Sequence, residues 1–163
     1  DDWGFVLVDL IAGQEPSFTL RRISRGNESS VRDNLTTDEI TVRLSNVPPE
    51  TPTAAAPVDQ EIPPDEVLLE ASSFLDQDGD LHGASHWQIA EHCHDFSAPL
   101  EESWVHHENW YFGEDTQAGD DLTDEFMPAL EPGTSYCWRV RYRDRGLVWS
   151  DWSVPQSFAT SPD

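Results

Sequence analysis

No stretch of this chain keeps apolar residues at the 3.6-residue spacing of a helix, and it carries twelve prolines, six of them within residues 48–64. Proline inside a helix removes a hydrogen bond and clashes with the preceding turn. Long helices are therefore excluded, and the pattern that remains is alternation with period two. FTLRRIS alternates Phe18, Leu20 and, past a doubled arginine, Ile23, while ITVRL sets Ile40, Val42 and Leu44 on one face. The expected fold class is all-β.

Three strands are expected in the first 46 residues: Gly4–Ile11, Ser17–Ser24 and Glu39–Leu44. Three strands alone cannot bury both faces of a sandwich. Residues 1–46 are therefore expected to be the tail of a preceding β-domain, or a small sheet packed on its neighbour. VPPETPTAAAPVDQEIPP, residues 47–64, is dense in Pro, Ala and Thr and reads as an extended linker and the start of a new domain. Beyond it, strands are expected at Val67–Ser72, Ala84–Glu91, Leu122–Ala129, Cys137–Tyr142 and Ser153–Thr160, with a turn in DQDGD. Residues 97–121 form a polar stretch broken by Trp104, Trp110, Tyr111 and Phe112. At 163 residues, one standard domain with a partial neighbour accounts for the length.

The charge is large and uneven. The net formal charge is −23, there is no lysine, and residues 45–137 carry 21 acids and no arginine. Such a surface repels nucleic-acid phosphates and anionic lipid and attracts cations or a basic partner. The plainest use of it is a solvated face that keeps the protein soluble. The longest apolar run, GFVLVDLIAG, is too short to span a bilayer and carries Asp9, so no membrane insertion is expected. The opening DDWG has neither a basic end nor an apolar h-region, which points to a processed chain or a piece of a longer one.

LEPGTSYCWRVRYRD, residues 130–144, resembles the E–F corner and F strand of fibronectin type III domains, and VPQSFAT is similar to their last strand. The resemblance covers roughly residues 57–161 and implies an immunoglobulin-like β-sandwich preceded by a small or partial β-region. It implies that the Tyr136 hydroxyl bonds back to a corner begun by Leu130 and Pro132. Alternation from Tyr136 sends Trp138, Val140 and Tyr142 inward, and Cys137, Arg139, Arg141 and Arg143 outward. FLDQDGDLHGASHWQI is similar to the B–C region of such modules in bacterial secreted or surface proteins. WSDWS is also similar to a motif of class I cytokine receptors, where strand-F arginines stack between Trp rings. That similarity implies Arg139 and Arg141 interleaved with Trp149 and Trp152. Receptor membership itself is disfavoured, because the domain before the motif would need cysteine pairs and residues 1–56 have none. In the fibronectin fold strands C and F are antiparallel neighbours, which implies a disulfide between Cys93 and Cys137. Cys93 shares parity with inward Trp87 while Cys137 points outward, so a bulge after Glu91 is expected to reconcile them.

Other clusters each have two readings. Asp76, Asp78 and Asp80 alternate in a tight turn, which suits calcium, although Asp-Gly is also ordinary turn chemistry and the spacing is not that of an EF-hand. His92 and His94 share one face and with His106 form a zinc set, or they are surface histidines. Trp104, Trp110 and Tyr111 form a sugar-stacking platform if exposed and coplanar, or cap the sandwich if buried. Asn27 and Asn34 sit in glycosylation sequons. No nucleophile elbow, phosphate loop or zinc-protease motif is present.

The expected function is that of a non-catalytic secreted, periplasmic or cell-surface module. It would act as a spacer, in adhesion, or in contact with a protein partner or neighbouring domains of the same or another chain. The alternatives are a carbohydrate-binding accessory module of an exported hydrolase and a subunit of an extracellular filament or larger assembly. No cofactor is expected, calcium apart.

Overall fold

The computed structural model describes residues 4–24, 35–112 and 114–162. Among these there is no helix, and so none long and apolar enough to cross a membrane.

The first three strands, β1 (Gly4–Ile11), β2 (Ser17–Ser24) and β3 (Leu35–Arg43), form an antiparallel sheet in that order. One face is mixed, with charged and hydroxyl side chains beside the exposed Phe5, Leu7 and Ile11. Leu7 faces Arg21 and Arg21 faces Glu39 across the strands, and Arg21 bridges the carboxylates of Asp9 and Glu39 on that face. Thr19 and Thr41 meet on the same face at 2.9 Å. By alternation the other face carries Val6, Val8, Leu10, Phe18, Leu20, Ile40 and Val42, of which the first four are exposed, with Arg22 and Asp38 beside Val6 at one end. The two ladders β1 and β2 begin and end where the residue pattern places them. β3 starts earlier than expected, at Leu35.

Side chains tie this sheet to the sandwich beyond it. Arg43 pairs with Asp80, the Val47 amide donates to Asp78 Oδ2 at 2.8 Å, and Asn46 Nδ2 donates to Asp144 Oδ2 at 2.9 Å. A Cβ on Gly146 would lie 2.4 Å from Asn46 Nδ2, so glycine is required there for the Asn46–Asp144 bond.

The Pro-rich run is not a free linker. Pro49, Pro52 and Pro57 are buried, and the run contains β4 (Ala54–Ala56) and β5 (Glu61–Ile62). Both lie at sheet edges, where a strand tolerates neighbours that cannot donate a backbone bond. The remaining strands are β6 (Leu68–Ala71), β7 (His82–Ala90), β8 (Glu101–His106), β9 (Trp110–Tyr111), β10 (Glu114–Asp115), β11 (Asp124–Phe126), β12 (Ser135–Asp144) and β13 (Gln156–Thr160). One sheet has the order β11-β6-β4 and the other β5-β13-β12-β7-β8, while β9 and β10 form a separate hairpin. Facing sheets of this order make the immunoglobulin-like, fibronectin type III sandwich. β12 is the strand read as F, and β7 the strand read as C.

Alternation along β12 and β7 builds the core. Tyr136, Trp138, Val140 and Tyr142 are buried against Trp87, Ile89, Val67 and Leu69. Trp87 and Trp138 stack with centroids 6.0 Å apart, and the Trp138 indole N–H donates to the Pro57 carbonyl at 2.8 Å. β8 lies inside what the residue pattern reads as a polar stretch. Its outward members Glu102 and Trp104 join a polar and aromatic layer instead of solvent, which hides the alternation around buried Val105.

Candidate functional site

The outer face of the five-stranded sheet carries a stack of alternating rings and guanidinium groups. Arg139 lies 4.3 Å from the Phe96 ring and 4.0 Å from Trp152. Arg141 lies 4.4 Å from Trp152 and 4.5 Å from Trp149, and Arg143 closes the series 5.4 Å from Trp149. The doubled Trp-Ser has a local cause. Ser150 Oγ accepts from the Tyr142 amide and Ser153 Oγ from the Val140 amide, each at 3.0 Å. Both serines also donate their own amides back to β12 at 2.8 Å. Three residues thus span two on β12, and each indole swings over the arginine row. Each cation–π contact contributes about 0.5–2 kcal/mol.

Four members of this layer carry no distinguishing signal in the sequence. Arg139 donates to Gln88 Oε1 through Nε at 2.9 Å and Nη2 at 2.7 Å, and Arg141 donates to His86 Nδ1 at 3.2 and 3.1 Å. His86 Nε2 then donates to Glu102 Oε1 at 2.6 Å, and Gln88 Nε2 donates to the same oxygen at 2.7 Å. Burial, followed by the charge of Arg141, holds the His86 imidazole below its ordinary range. The hydrogen bonds from Gln88 and His86 hold Glu102 down as well. Trp104 covers His86 from outside, 3.9 Å away and nearly parallel. This layer is an architectural ladder. Phe96, Gln88, His86 and Glu102 would have been found only by knowing which strands pair.

Tyr136 makes the corner implied by the resemblance: its hydroxyl donates to the Glu131 carbonyl at 3.4 Å and accepts from the Glu131 amide at 3.2 Å. Cys93 and Cys137 are joined as a disulfide with Cα atoms 5.0 Å apart. No bulge after Glu91 is involved. β7 ends at Ala90, which pairs with Cys137, and the chain turns through a His92–Asp95 bridge that brings Cys93 back.

Most of the acidic turn is engaged within the fold, while Asp76 Oδ2 is buried with no hydrogen-bond partner among the described residues. Asp76 Oδ1 accepts from the amides of Asp78 and Asp80, at 2.8 and 3.0 Å, while the other two carboxylates hold Val47 and Arg43. Among the described residues no three His, Cys, Asp or Glu side chains are grouped to hold a metal ion. His92 and His94 do stack, 5.7 Å apart, but His106 sits at the other end of β7, opposite Ala84 and beside Arg143. The zinc set is therefore not assembled. Asn27 and Asn34 lie outside the described residues.

The aromatic segment is where the surface is unusual. Trp110, Tyr111 and Phe112 are 62%, 66% and 90% exposed on the β9–β10 hairpin, and Trp104 is 47% exposed nearby in the chain. Phe112 has a positive φ of 49°, as the hairpin turn requires. Tyr111 and Phe112 stand at 82° to one another, so this pair forms a projecting tip and not a flat platform. The Trp110 indole donates to Glu108 at 2.9 Å, which fixes that ring at the base.

No family model matches this chain, and no curated protein matches it. Solved structures do. An α-L-rhamnosidase of Streptomyces avermitilis, complexed with L-rhamnose, shares 20% identity over 70% of this chain and 10% of its own, with a TM-score of 0.47. The fibronectin(III)-like modules of Clostridium thermocellum CbhA share 13% over 90% of this chain and 62% of theirs, with a TM-score of 0.43. A DUF3823 family protein of Bacteroides uniformis shares 9% over 90% of this chain and 75% of its own, with a TM-score of 0.46. The chain thus spans about a tenth of the rhamnosidase and under two thirds of the CbhA modules.

Proposed function

We propose that this chain is a non-catalytic module of a secreted, periplasmic or cell-surface protein, and that it works by protein–protein contact through the β9–β10 hairpin. The observation that supports this most is the trio Trp110, Tyr111 and Phe112, three large rings held out in solvent on a two-stranded tip. Aromatic anchors of this kind dominate contact energies when a partner desolvates them. Asp78, Asp80, Arg139 and Arg141 are already engaged within the fold. The Cys93–Cys137 disulfide suits an oxidising compartment.

The test is adhesion of the chain to immobilised bacterial cell envelopes, compared with a triple variant Trp110→Ala, Tyr111→Ala, Phe112→Ala. The expected result is binding that protease treatment of the envelopes abolishes and that the triple variant lacks at unchanged Tm. Binding that survives protease and is competed by a soluble saccharide would replace this reading with the carbohydrate one.

A second reading, a subunit of a filament or larger assembly, is favoured by one observation: the apolar face of the N-terminal sheet is exposed at Val6, Val8, Leu10 and Phe18. Sheet faces of this composition are normally covered by a second layer. Light scattering tests it: a mass that rises with concentration and falls on Leu10→Asp supports assembly, and a monomer throughout removes it.

A further inference from the structure

Beside the aromatic hairpin lies a cleft of about 310 Å³ bounded by Trp104, His106, Glu108, Asn109, Gln117 and Glu125. That volume is at the lower end of ligand-sized clefts, which run about 300–1,000 Å³. We infer that this cleft receives an arginine or lysine side chain of the protein partner. The inference rests on the protein-contact reading above and specifies what the partner must carry.

Three observations point to a cationic occupant. The first is the wall. Trp104 is pinned by His86 on one side and by the edge of Trp149, 5.3 Å away at 89°, yet it remains half-exposed at the cleft. A rigid indole with an open side is the best aromatic surface for a guanidinium or ammonium group. The second is Glu125. Ser103 donates to one of its oxygens at 2.6 Å, and among the described residues no positively charged side chain is paired with it. Burial, together with Asp120 and Asp124, pushes its carboxyl above the usual range, so an incoming positive charge relieves a cost the free protein carries. The third is continuity. Glu108 lines the cleft and also accepts from the Trp110 indole, so the cleft and the aromatic tip are one contact surface. The long-range field agrees: residues 45–137, which supply every wall of the cleft, carry 21 acids and no lysine or arginine, and Arg143, which meets His106 at 3.5 Å, is engaged over Trp149. A neutral sugar would leave the Glu125 charge as it is. A bare metal ion would need a convergent oxygen set, which the described residues do not group here.

The test is a titration of the folded chain, isotope-labelled for NMR, with the peptide Ac-Gly-Arg-Leu-Gly-NH2 and with its citrulline counterpart, which has the same shape and no charge. Saturable shifts of the Trp104 and Trp110 indole N–H signals, seen with arginine and absent with citrulline, are expected. Glu125→Gln is expected to weaken binding about tenfold, the loss of one charge-assisted contact. Glu61→Gln removes the same charge from β5, at the edge of the five-stranded sheet opposite the Trp104 strand β8, and is expected to leave the affinity unchanged. Equal binding of the citrulline peptide, or equal losses in the two variants, overturns the inference. Envelope adhesion that needs the aromatic tip but ignores Glu125→Gln overturns it too, while leaving the contact reading in place.

Discussion

Arg141 donates from two nitrogens to the single Nδ1 of His86 while its guanidinium lies between the rings of Trp149 and Trp152. The imidazole must therefore be neutral, with its proton on Nε2, and that proton is passed as a hydrogen bond to Glu102. One arginine thus sets the tautomer of a buried histidine and the spacing of two indoles.

Arg141→Lys is expected to destabilise the sandwich by about 1–2 kcal/mol, because an ammonium group can neither lie flat between two rings nor donate twice to one nitrogen. Arg145→Lys, an exposed site beyond the ladder, is expected to change stability by less than about 0.5 kcal/mol. Urea midpoints of the two variants decide the matter.

Stability should fall on acidification through the histidines that burial depresses, His82 and His86 with the less buried His106. His82 is sandwiched between Phe74 at 4.4 Å and Tyr142 at 4.5 Å, and burial pushes its pKa down to about 4. His86 is depressed in the same direction. A depressed folded pKa means the unfolded chain binds the proton first, so this contribution is complete above about pH 6.5 and is lost as pH falls towards about 4. His82→Phe is expected to flatten the slope of Tm against pH in that window, whatever it does to Tm itself. An unchanged slope would place the acid sensitivity elsewhere.

Removing the disulfide by Cys93→Ser with Cys137→Ser frees a closure spanning 44 residues. A cost of about 2–4 kcal/mol is expected, on the chain-entropy account of such closures. Thermal unfolding of the double variant, compared with the parent under reducing conditions, measures it.

Calcium and magnesium at equal ionic strength are expected to raise Tm equally, through screening of the −23 charge. Asp76 Oδ1, Asp78 and Asp80 are already engaged by backbone amides and Arg43, and Asp76 Oδ2 is buried without a hydrogen-bond partner among the described residues. A rise with calcium alone that Asp78→Ala abolishes would contradict this.

The strands of the sandwich were legible because their buried faces alternate cleanly: Trp138, Val140 and Tyr142 on one strand, Trp87 and Ile89 on the next. Tyr136 and the arginine row were legible because their motif is local in sequence. β8 was not, since its outward Trp104 and Glu102 are absorbed by partners on other strands, and period-two reading assumes that outward means solvent. The alanine strand β4 was hidden among prolines, whose missing donors matter only in the middle of a sheet. Gln88 and Glu102 joined the ladder through strand register alone, and no local pattern carries that.

The pairing of β5 with β13 has a mechanical consequence. These two strands run parallel, Glu61 beside Ala159 and Ile62 beside Thr160, and three backbone bonds join them: Asp59 N to Ser157 O, Ala159 N to Gln60 O, and Ser161 N to Ile62 O. A tensile load that enters the sandwich through β5 and leaves through β13 pulls these strands along their length in opposite directions. All three bonds then bear the force together in shear, where an antiparallel edge pulled from one end would lose its bonds singly, like a zip. The disulfide holds β12 to the turn after β7, so the strand beside β13 stays anchored under the same load. The β5–β13 edge is therefore braced against a load applied along its strands.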